Sequence, residues 1–189
     1  MTNRKQYLIS IDGSTTKTGI AVFDYNTEEL IDYTFIAPDN PYETKKEMTK
    51  QQKAEIKKNN MDYRIIEMIK GINIYLKKYK PIAIVIEDTY MGKDGYAYKK
   101  LCHIQGLVLN YSIEHKRCSI YFYSPTTWRK AVGVPNSENK IKLKREELKK
   151  KSINLVKTIY NIDVSDDVSD SICIGLAHFK IKEKKNNRK

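Results

Sequence analysis

Apolar residues in this chain fall into short runs separated by polar turns, and into longer stretches with helical spacing. The short runs predict five β-strands, at residues 7–12, 19–23, 30–36, 82–86 and 119–123. The polar turn 13–18 is short, so the first two strands are expected to pair as an antiparallel hairpin.

The helical spacing of apolar residues predicts helices between and after these strands. They are expected at 61–79, 96–115, 140–160 and 167–180, with a short turn at 125–132. The third is rich in lysine and the fourth is apolar. Residues 38–60 are polar and charged, and we interpret them as a basic insertion that forms a loop or an exposed helix.

This order of elements predicts an α/β fold with a five-stranded mixed sheet flanked by helices. Helical crossovers make the first, fourth and fifth strands parallel, and ligands bind such sheets at the carboxyl ends of the strands. We expect one domain at 1–180, which includes the insertion, and a basic tail at 181–189.

Four carboxylates stand at the ends of these core elements. Asp12 ends the first strand run, Glu87 follows the fourth, and Asp167 and Asp170 open the apolar helix. Acids at the ends of neighbouring elements can converge in space, and divalent cations offset their repulsion. The leading hypothesis is therefore a Mg²⁺ site, with Asp167 and Asp170 on one helix face because they are three residues apart.

Simpler interpretations exist for each acid alone. Asp12 before Gly13 could form a turn, and acids in the first turn of a helix compensate its dipole. Asp166 competes with Asp167 as the third ligand, and the sequence leaves that choice open. Glu87 is harder to explain structurally, because a carboxylate that follows five apolar strand residues usually needs a partner.

Charge and composition indicate the class of binding partner and the cellular compartment. The 35 Lys and Arg residues against 23 Asp and Glu give a net charge of +12, which indicates a phosphate-rich partner such as nucleic acid. No stretch is long and apolar enough for a membrane span, and a signal peptide is not expected. The three cysteines lack metal-ligand spacing, which favours reduced thiols and a cytoplasmic protein.

Five segments together resemble one family. They are Ile-Asp-Gly-Ser at 11–14, Ile-Val-Ile-Glu-Asp-Thr-Tyr-Met at 84–91, and the stretches 97–106, 124–133 and 167–177. In this order they are similar to the RuvC family of Holliday junction resolvases, which have a ribonuclease-H-like fold. The resemblance covers nearly the whole chain except the insertion and the tail.

The resemblance implies a structure-selective endonuclease that cuts four-way and other branched DNA as a homodimer. Its metal-binding and catalytic acids would be Asp12, Glu87, Asp167 and Asp170, with Mg²⁺ as cofactor or Mn²⁺ in its place. The family's aromatic wedge, which stacks on an opened base, falls on Tyr90. Its basic DNA contacts fall on Arg129, Lys130 and Lys140.

The resemblance also implies the cytoplasm of a bacterium or of a phage-infected host. The helix at 96–115 is the expected dimer seam, because Gly106 allows close approach and apolar residues cover more than one face. Three alternatives stay open: another nuclease of the same fold that acts on RNA–DNA hybrids or as a transposase, a phosphate-handling ATPase domain, and a non-catalytic junction-binding protein.

Overall fold

A computed structural model describes residues 5–92, 94–138 and 141–187. Its core is a five-stranded mixed sheet with the strand order β3-β2-β1-β4-β5. The strand bounds are β1 Tyr7–Asp12, β2 Thr18–Asp24, β3 Leu30–Ile36, β4 Ala83–Glu87 and β5 Ser119–Tyr123. The predicted sheet, including the β1–β2 hairpin, is confirmed.

Helices cover both faces of this sheet. Their bounds are α1 Lys50–Tyr79, α2 Gly95–Glu114, α3 Pro125–Val132, α4 Arg145–Tyr160 and α5 Asp166–Asn186. A small hairpin of β6 Ser137–Glu138 and β7 Ile141–Lys142 precedes α4. Within the described residues, every helix is too short or too polar to cross a lipid bilayer.

The pairing of β1 with β4 decides where the chemistry of the fold can lie. The two strands are parallel neighbours, and Ile11 is in register with Ile86. Asp12 and Glu87 are the next residue of each strand, so both carboxylates leave the sheet at the same edge. We call this edge, at which β1, β4 and β5 have their carboxyl ends, the carboxyl edge.

Alternating residues of the central strands build two separate apolar cores. Leu8, on one face of β1, packs in a cluster with α3, α4 and α5, and Ile9, on the opposite face, packs in a cluster with α1 and α2. Both cores are fully closed to solvent at the sheet, which accounts for the unbroken apolar runs in the sequence.

Two glycines allow α5 to lie directly on the sheet. A Cβ atom at Gly19 would stand 2.0 Å from the carbonyl oxygen of Asp167, and one at Gly175 would stand 2.3 Å from the ring of Phe23. The buried hydroxyl of Ser10 also donates a 2.7 Å hydrogen bond to the carbonyl oxygen of Ser171. These contacts fix the first three turns of α5 against β1 and β2.

Several element boundaries differ from the sequence predictions. The second half of the 38–60 insertion is the start of α1, because Thr49 and Gln52 form a reciprocal capping box that begins the helix there. Strand β7 occupies the predicted beginning of α4, and α5 continues to Asn186, within the segment 181–189 that we expected to be a basic tail. Lys140 lies outside the described residues.

Candidate active site

A cavity of about 400 Å³ opens at the carboxyl edge of the sheet. All four carboxylates predicted from the sequence lie on its wall: Asp12, Glu87, Asp167 and Asp170. The wall also contains Asp166 and four basic residues, Arg129, Lys142, Arg145 and Lys149. We call this the acid cavity. The residues of its wall are up to 158 positions apart in the sequence, as counted from Asp12 to Asp170.

Local structure explains why each acid faces the cavity. Asp12 and Glu87 stand at the strand ends, where the chain leaves the sheet. Asp167 and Asp170 lie on the first two turns of α5 with a spacing of three residues, so one helix face presents both. The close approach at Gly19 holds that face against the hairpin that carries Asp12.

Burial and mutual repulsion make the metal-free cavity unfavourable for negative charge. Burial raises the pKa of Asp12 well above its usual value, and the neighbouring carboxylates, Glu87 first, raise it further. Burial also raises the pKa values of Glu87 and Asp170. Such a group of carboxylates stays fully ionised at neutral pH only if positive charge is supplied.

Trp128 is the side chain that fixes Glu87. Its ring is fully buried on α3, and its indole N–H donates a 2.6 Å hydrogen bond to Oε2 of Glu87. This bond favours the ionised carboxylate and partly opposes the effect of burial on its pKa. Sequence reasoning placed Trp128 only within a family motif, because nothing in the local pattern reveals a contact 41 residues away.

Two basic residues contact the predicted metal-site acids on α5, Asp167 and Asp170. The guanidinium of Arg129 lies 3.9 Å from Asp170, and its Nε is buried without a hydrogen-bond partner among the described residues. Lys17, in the β1–β2 turn, forms a 3.2 Å ion pair with Asp167. Arg129, which we predicted as a DNA contact, therefore faces the acid cavity.

The carboxylate oxygens of the acid cavity are ligands that suit a hard divalent cation, although they are not clustered tightly around one point. In the described part of the chain, no three His, Cys, Asp or Glu side chains are grouped tightly enough to hold a metal ion as they stand. Oδ1 of Asp170 is nevertheless buried without a hydrogen-bond partner in the part of the chain that the structure describes. An unpaired carboxylate oxygen among other carboxylates is a ligand of the type that Mg²⁺ and Mn²⁺ prefer.

Asp166 has a different partner from its neighbour. It forms an ion pair with Lys149 on α4, and this contact lowers the pKa of Asp166. The negative charge of Asp166 is thus already balanced within the protein. Asp167 is likewise paired, with Lys17, so the ion pairs do not distinguish Asp166 from Asp167 as the third carboxylate of a metal site.

Two of the other predicted DNA contacts, Tyr90 and Lys130, lie outside the cavity. Tyr90 is 83% exposed on the loop that follows β4. The start of that loop is tied to α2, because Gln105 hydrogen-bonds the side chains of Asp88 and Thr89, each at 3.2 Å. Lys130 is exposed on α3. The structure thus presents an aromatic ring to solvent on an anchored loop beside Glu87.

Comparisons with known proteins identify relatives of this chain. A sequence model of the family described as "Crossover junction endodeoxyribonuclease RuvC" matches residues 8–178. A protein of that name from Campylobacter curvus is 27% identical over 127 residues, which are 66% of this chain and 74% of the relative. Another from Fusobacterium nucleatum is 24% identical over 173 residues, which are 90% of this chain and 78% of the relative.

Solved structures show a similar fold. The chain resembles Thermus thermophilus RuvC in complex with a Holliday junction substrate, with a TM-score of 0.63, 15% identity, and coverage of 95% of this chain and 96% of that one. It also resembles the Fowlpox virus resolvase in complex with Holliday junction DNA, with a TM-score of 0.53, 16% identity, and coverage of 94% and 99%.

Proposed function

Because this chain belongs to the RuvC family of crossover junction endodeoxyribonucleases, we propose that it cleaves branched DNA by phosphodiester hydrolysis in the acid cavity. Its class of activity is that of its family, a hydrolase that cuts DNA at junctions. We further propose which residues of this chain carry out that chemistry.

One observation supports this assignment most strongly. Four carboxylates from two strand ends and one helix line a single cavity, and the pKa values of three of them are raised because they are buried near one another. A protein that only binds DNA gains nothing from buried negative charge at its DNA-binding edge. A nuclease needs it, because hydrolysis of a phosphodiester requires metal ligands.

Nucleases of this family depend on a metal ion. We assign Mg²⁺ as that ion, held by Asp12, Glu87, Asp167 and Asp170, and expect Mn²⁺ to replace it, because both take carboxylate oxygens and water as ligands. When bound, such ions lower the pKa of a water molecule and balance negative charge on the reacting phosphate.

The protein's own residues prepare the cavity for this chemistry. The indole of Trp128 holds the Glu87 carboxylate in one orientation. Arg129 supplies positive charge beside Asp170, at a position where a scissile phosphate would enter between the acids and α3. The basic residues Lys142, Arg145 and Lys149 also line the cavity, where their charge would attract the DNA backbone.

The exposed ring of Tyr90 is assigned to the opened base at the crossover. Tyr90→Ala is expected to bind a four-way junction but to cut it roughly tenfold more slowly, because base stacking worth about 1–3 kcal/mol is lost. Tyr90→Phe should cut at nearly the normal rate, since the ring face is kept. Cleavage rates measured under single-turnover conditions test this, and equal rates for the two variants would show that Tyr90 has no stacking role.

We assign a homodimer, because a four-way junction has two-fold symmetry and each chain carries one acid cavity. Part of the expected seam packs within the monomer: Ile104, Val108 and Tyr111 of α2 are buried against the sheet. The outer face of α2 carries Gly106, Leu109 and Ile113, and the side chain of Ile113 is 74% exposed. A side chain at Gly106 would meet nothing in the monomer.

Ile113→Asp is therefore expected to weaken dimerisation at least about tenfold, because it places a charge in an apolar seam. The matched control is Ile74→Asp, which changes another exposed isoleucine, 64% accessible on α1, outside the proposed seam. Sedimentation at micromolar concentration, with and without junction DNA, measures the result. A wild-type protein that stays monomeric in both conditions would contradict paired cleavage.

The two sequence relatives, from Campylobacter curvus and Fusobacterium nucleatum, are bacterial, which supports a bacterial cytoplasm as the place of action, and a phage origin stays a prediction. The function itself is tested by incubating the protein and Mg²⁺ with a mobile four-way junction, a fork, a linear duplex and an RNA–DNA hybrid. We expect cleavage of the junction first. Preferential cleavage of the hybrid would favour another nuclease of this fold, and binding without cleavage would favour a junction-binding protein.

A further inference from the structure

The beginning of α1 projects beyond the sheet at the same edge as the acid cavity. Since β3 and β1 are both antiparallel to β2, the chain leaves β3 at the carboxyl edge, and α1 returns from there. The buried residues of α1 begin only at Asn60. At about 1.5 Å per residue, the preceding ten helical residues therefore extend roughly 15 Å past the packed part of the helix.

This extension and the loop before it carry a concentration of positive charge. We call residues 45–58 the basic projection. It contains six lysines against two glutamates, and the lysines are Lys45, Lys46, Lys50, Lys53, Lys57 and Lys58. Among the described residues, none of the six forms an ion pair. On the helix, Lys50, Lys53 and Lys57 share one face because their spacing is three and four residues.

Two buried polar residues attach the projection to the active-site end of the sheet. The side chain of Asn60 pairs with the backbone of Tyr42 through hydrogen bonds of 3.0 and 2.8 Å. Arg64 donates from Nε to the carbonyl oxygen of Thr15 at 2.8 Å and from Nη1 to Asn40. Thr15 belongs to the turn that follows Asp12. Arg64 therefore links the loop 38–49 directly to the turn beside the acid cavity.

The other side of α1 contacts the segment that follows Tyr90. Asp62 accepts a hydrogen bond from the hydroxyl of Tyr96 and forms an ion pair with Lys100, both on α2. The ammonium of Lys58 stands 5.5 Å from the ring centroid of Tyr96. The basic projection is thus held between the turn after Asp12 and the end of the loop that presents Tyr90.

We propose that the basic projection binds the phosphate backbone of a duplex arm of the DNA junction, where that arm leaves the crossover beside Tyr90. The proposal rests on the proposed function, since it takes branched DNA as the substrate. A length of roughly 15 Å corresponds to four or five base pairs at about 3.4 Å each. The lysines at the tip of the projection would therefore contact an arm near its fourth and fifth base pairs.

The test compares two four-way junctions with the same centre. One has arms of about 20 base pairs and the other has arms of about 3 base pairs closed by hairpin loops, so that only the arms of the first reach the tip of the projection. Wild-type protein is expected to bind the long-armed junction about tenfold more tightly. Lys50→Glu/Lys57→Glu should lose most of that difference, and its log–log salt slope should fall by roughly 2, about 0.9 per phosphate contact.

The matched control is Lys77→Glu/Lys184→Glu, which makes the same change of charge at the far end of α1 and the end of α5, where both lysines are exposed. This control should keep the arm-length difference, and all three proteins should cut at equal rates once saturated with DNA. If the first double variant keeps the difference, or if the control loses it equally, the projection does not bind the arm.

Failure of this inference can be told apart from failure of the proposed function. A wild-type protein that cuts junctions of both arm lengths but binds them equally well would overturn the inference alone. A wild-type protein that cuts neither would overturn the function. Arg64→Gln adds a second test, because it keeps every lysine of the projection but breaks its link to Thr15, and it should reduce the arm-length difference at least threefold.

Discussion

Glu87→Gln protein is expected to bind a four-way junction with nearly unchanged affinity and to cut it at least about 10³-fold more slowly, a loss of roughly 4 kcal/mol of transition-state stabilisation. The amide keeps the shape of the side chain but removes one negative metal ligand. Asp12→Asn and Asp170→Asn should behave in the same way. Single-turnover cleavage with Mg²⁺, together with a binding titration in Ca²⁺ or without metal, measures both quantities.

Two further measurements separate loss of chemistry from loss of folding. Without metal, Asp12→Asn should raise the free energy of unfolding by about 0.5–2 kcal/mol, because it removes a buried carboxylate that its neighbours repel. Added Mg²⁺ should stabilise the wild type more than this variant. Asp163→Asn, which changes an exposed carboxylate on a loop, is the control and should cut normally. Retained cleavage by Glu87→Gln would overturn the site assignment.

Trp128→Phe is expected to slow cleavage about 10–100-fold, the range seen when a hydrogen-bond partner of a metal ligand is removed. The ring that fills the core is largely kept, but Glu87 loses its indole donor. The Mg²⁺ concentration for half-maximal activity should rise. Because the lost bond favoured the ionised form of Glu87, its pKa should rise as well, and the acidic limb of the pH–rate profile should move to higher pH.

The control for this variant is Val132→Ala. Val132 lies on the following turn of α3 and is buried in the same core, but it has no contact with an acid that the structure shows. Its substitution should lower stability by about 1–3 kcal/mol without changing the Mg²⁺ requirement. If both variants lose activity equally and the pH profile of Trp128→Phe does not move, Trp128 is a packing residue only.

The three central strands, β1, β2 and β4, were predictable because their apolar runs are buried on both faces of the sheet. The runs that contain Leu8 and Val85 can be predicted as strands from their local sequence alone. The helical crossover makes β1 and β4 parallel, and Asp12 and Glu87 come together because the structure also places these two strands side by side. The convergence of the acids was therefore a matter of topology.

What the sequence could not predict depends on side-chain contacts between distant elements. The indole of Trp128 reaches Glu87 from another helix, and Arg129 faces the acids of α5 although a basic residue after a strand usually points to solvent. The hairpin β6–β7 has only two residues in each strand, too few for any periodicity. The early start of α1 rests on one capping box, at Thr49, within a stretch whose charge resembles a loop.

The position of α5 along the chain has a consequence for the cell that makes this protein. Ribosomes synthesise chains from the N-terminus, and the helix that carries Asp167 and Asp170 follows every strand of the sheet. A nascent or prematurely terminated chain that stops before this helix holds only Asp12 and Glu87, half of the acid set. Under the proposed site assignment, such fragments lack two of the four metal ligands, and they are expected not to cut DNA until α5 has been synthesised and packed on the sheet.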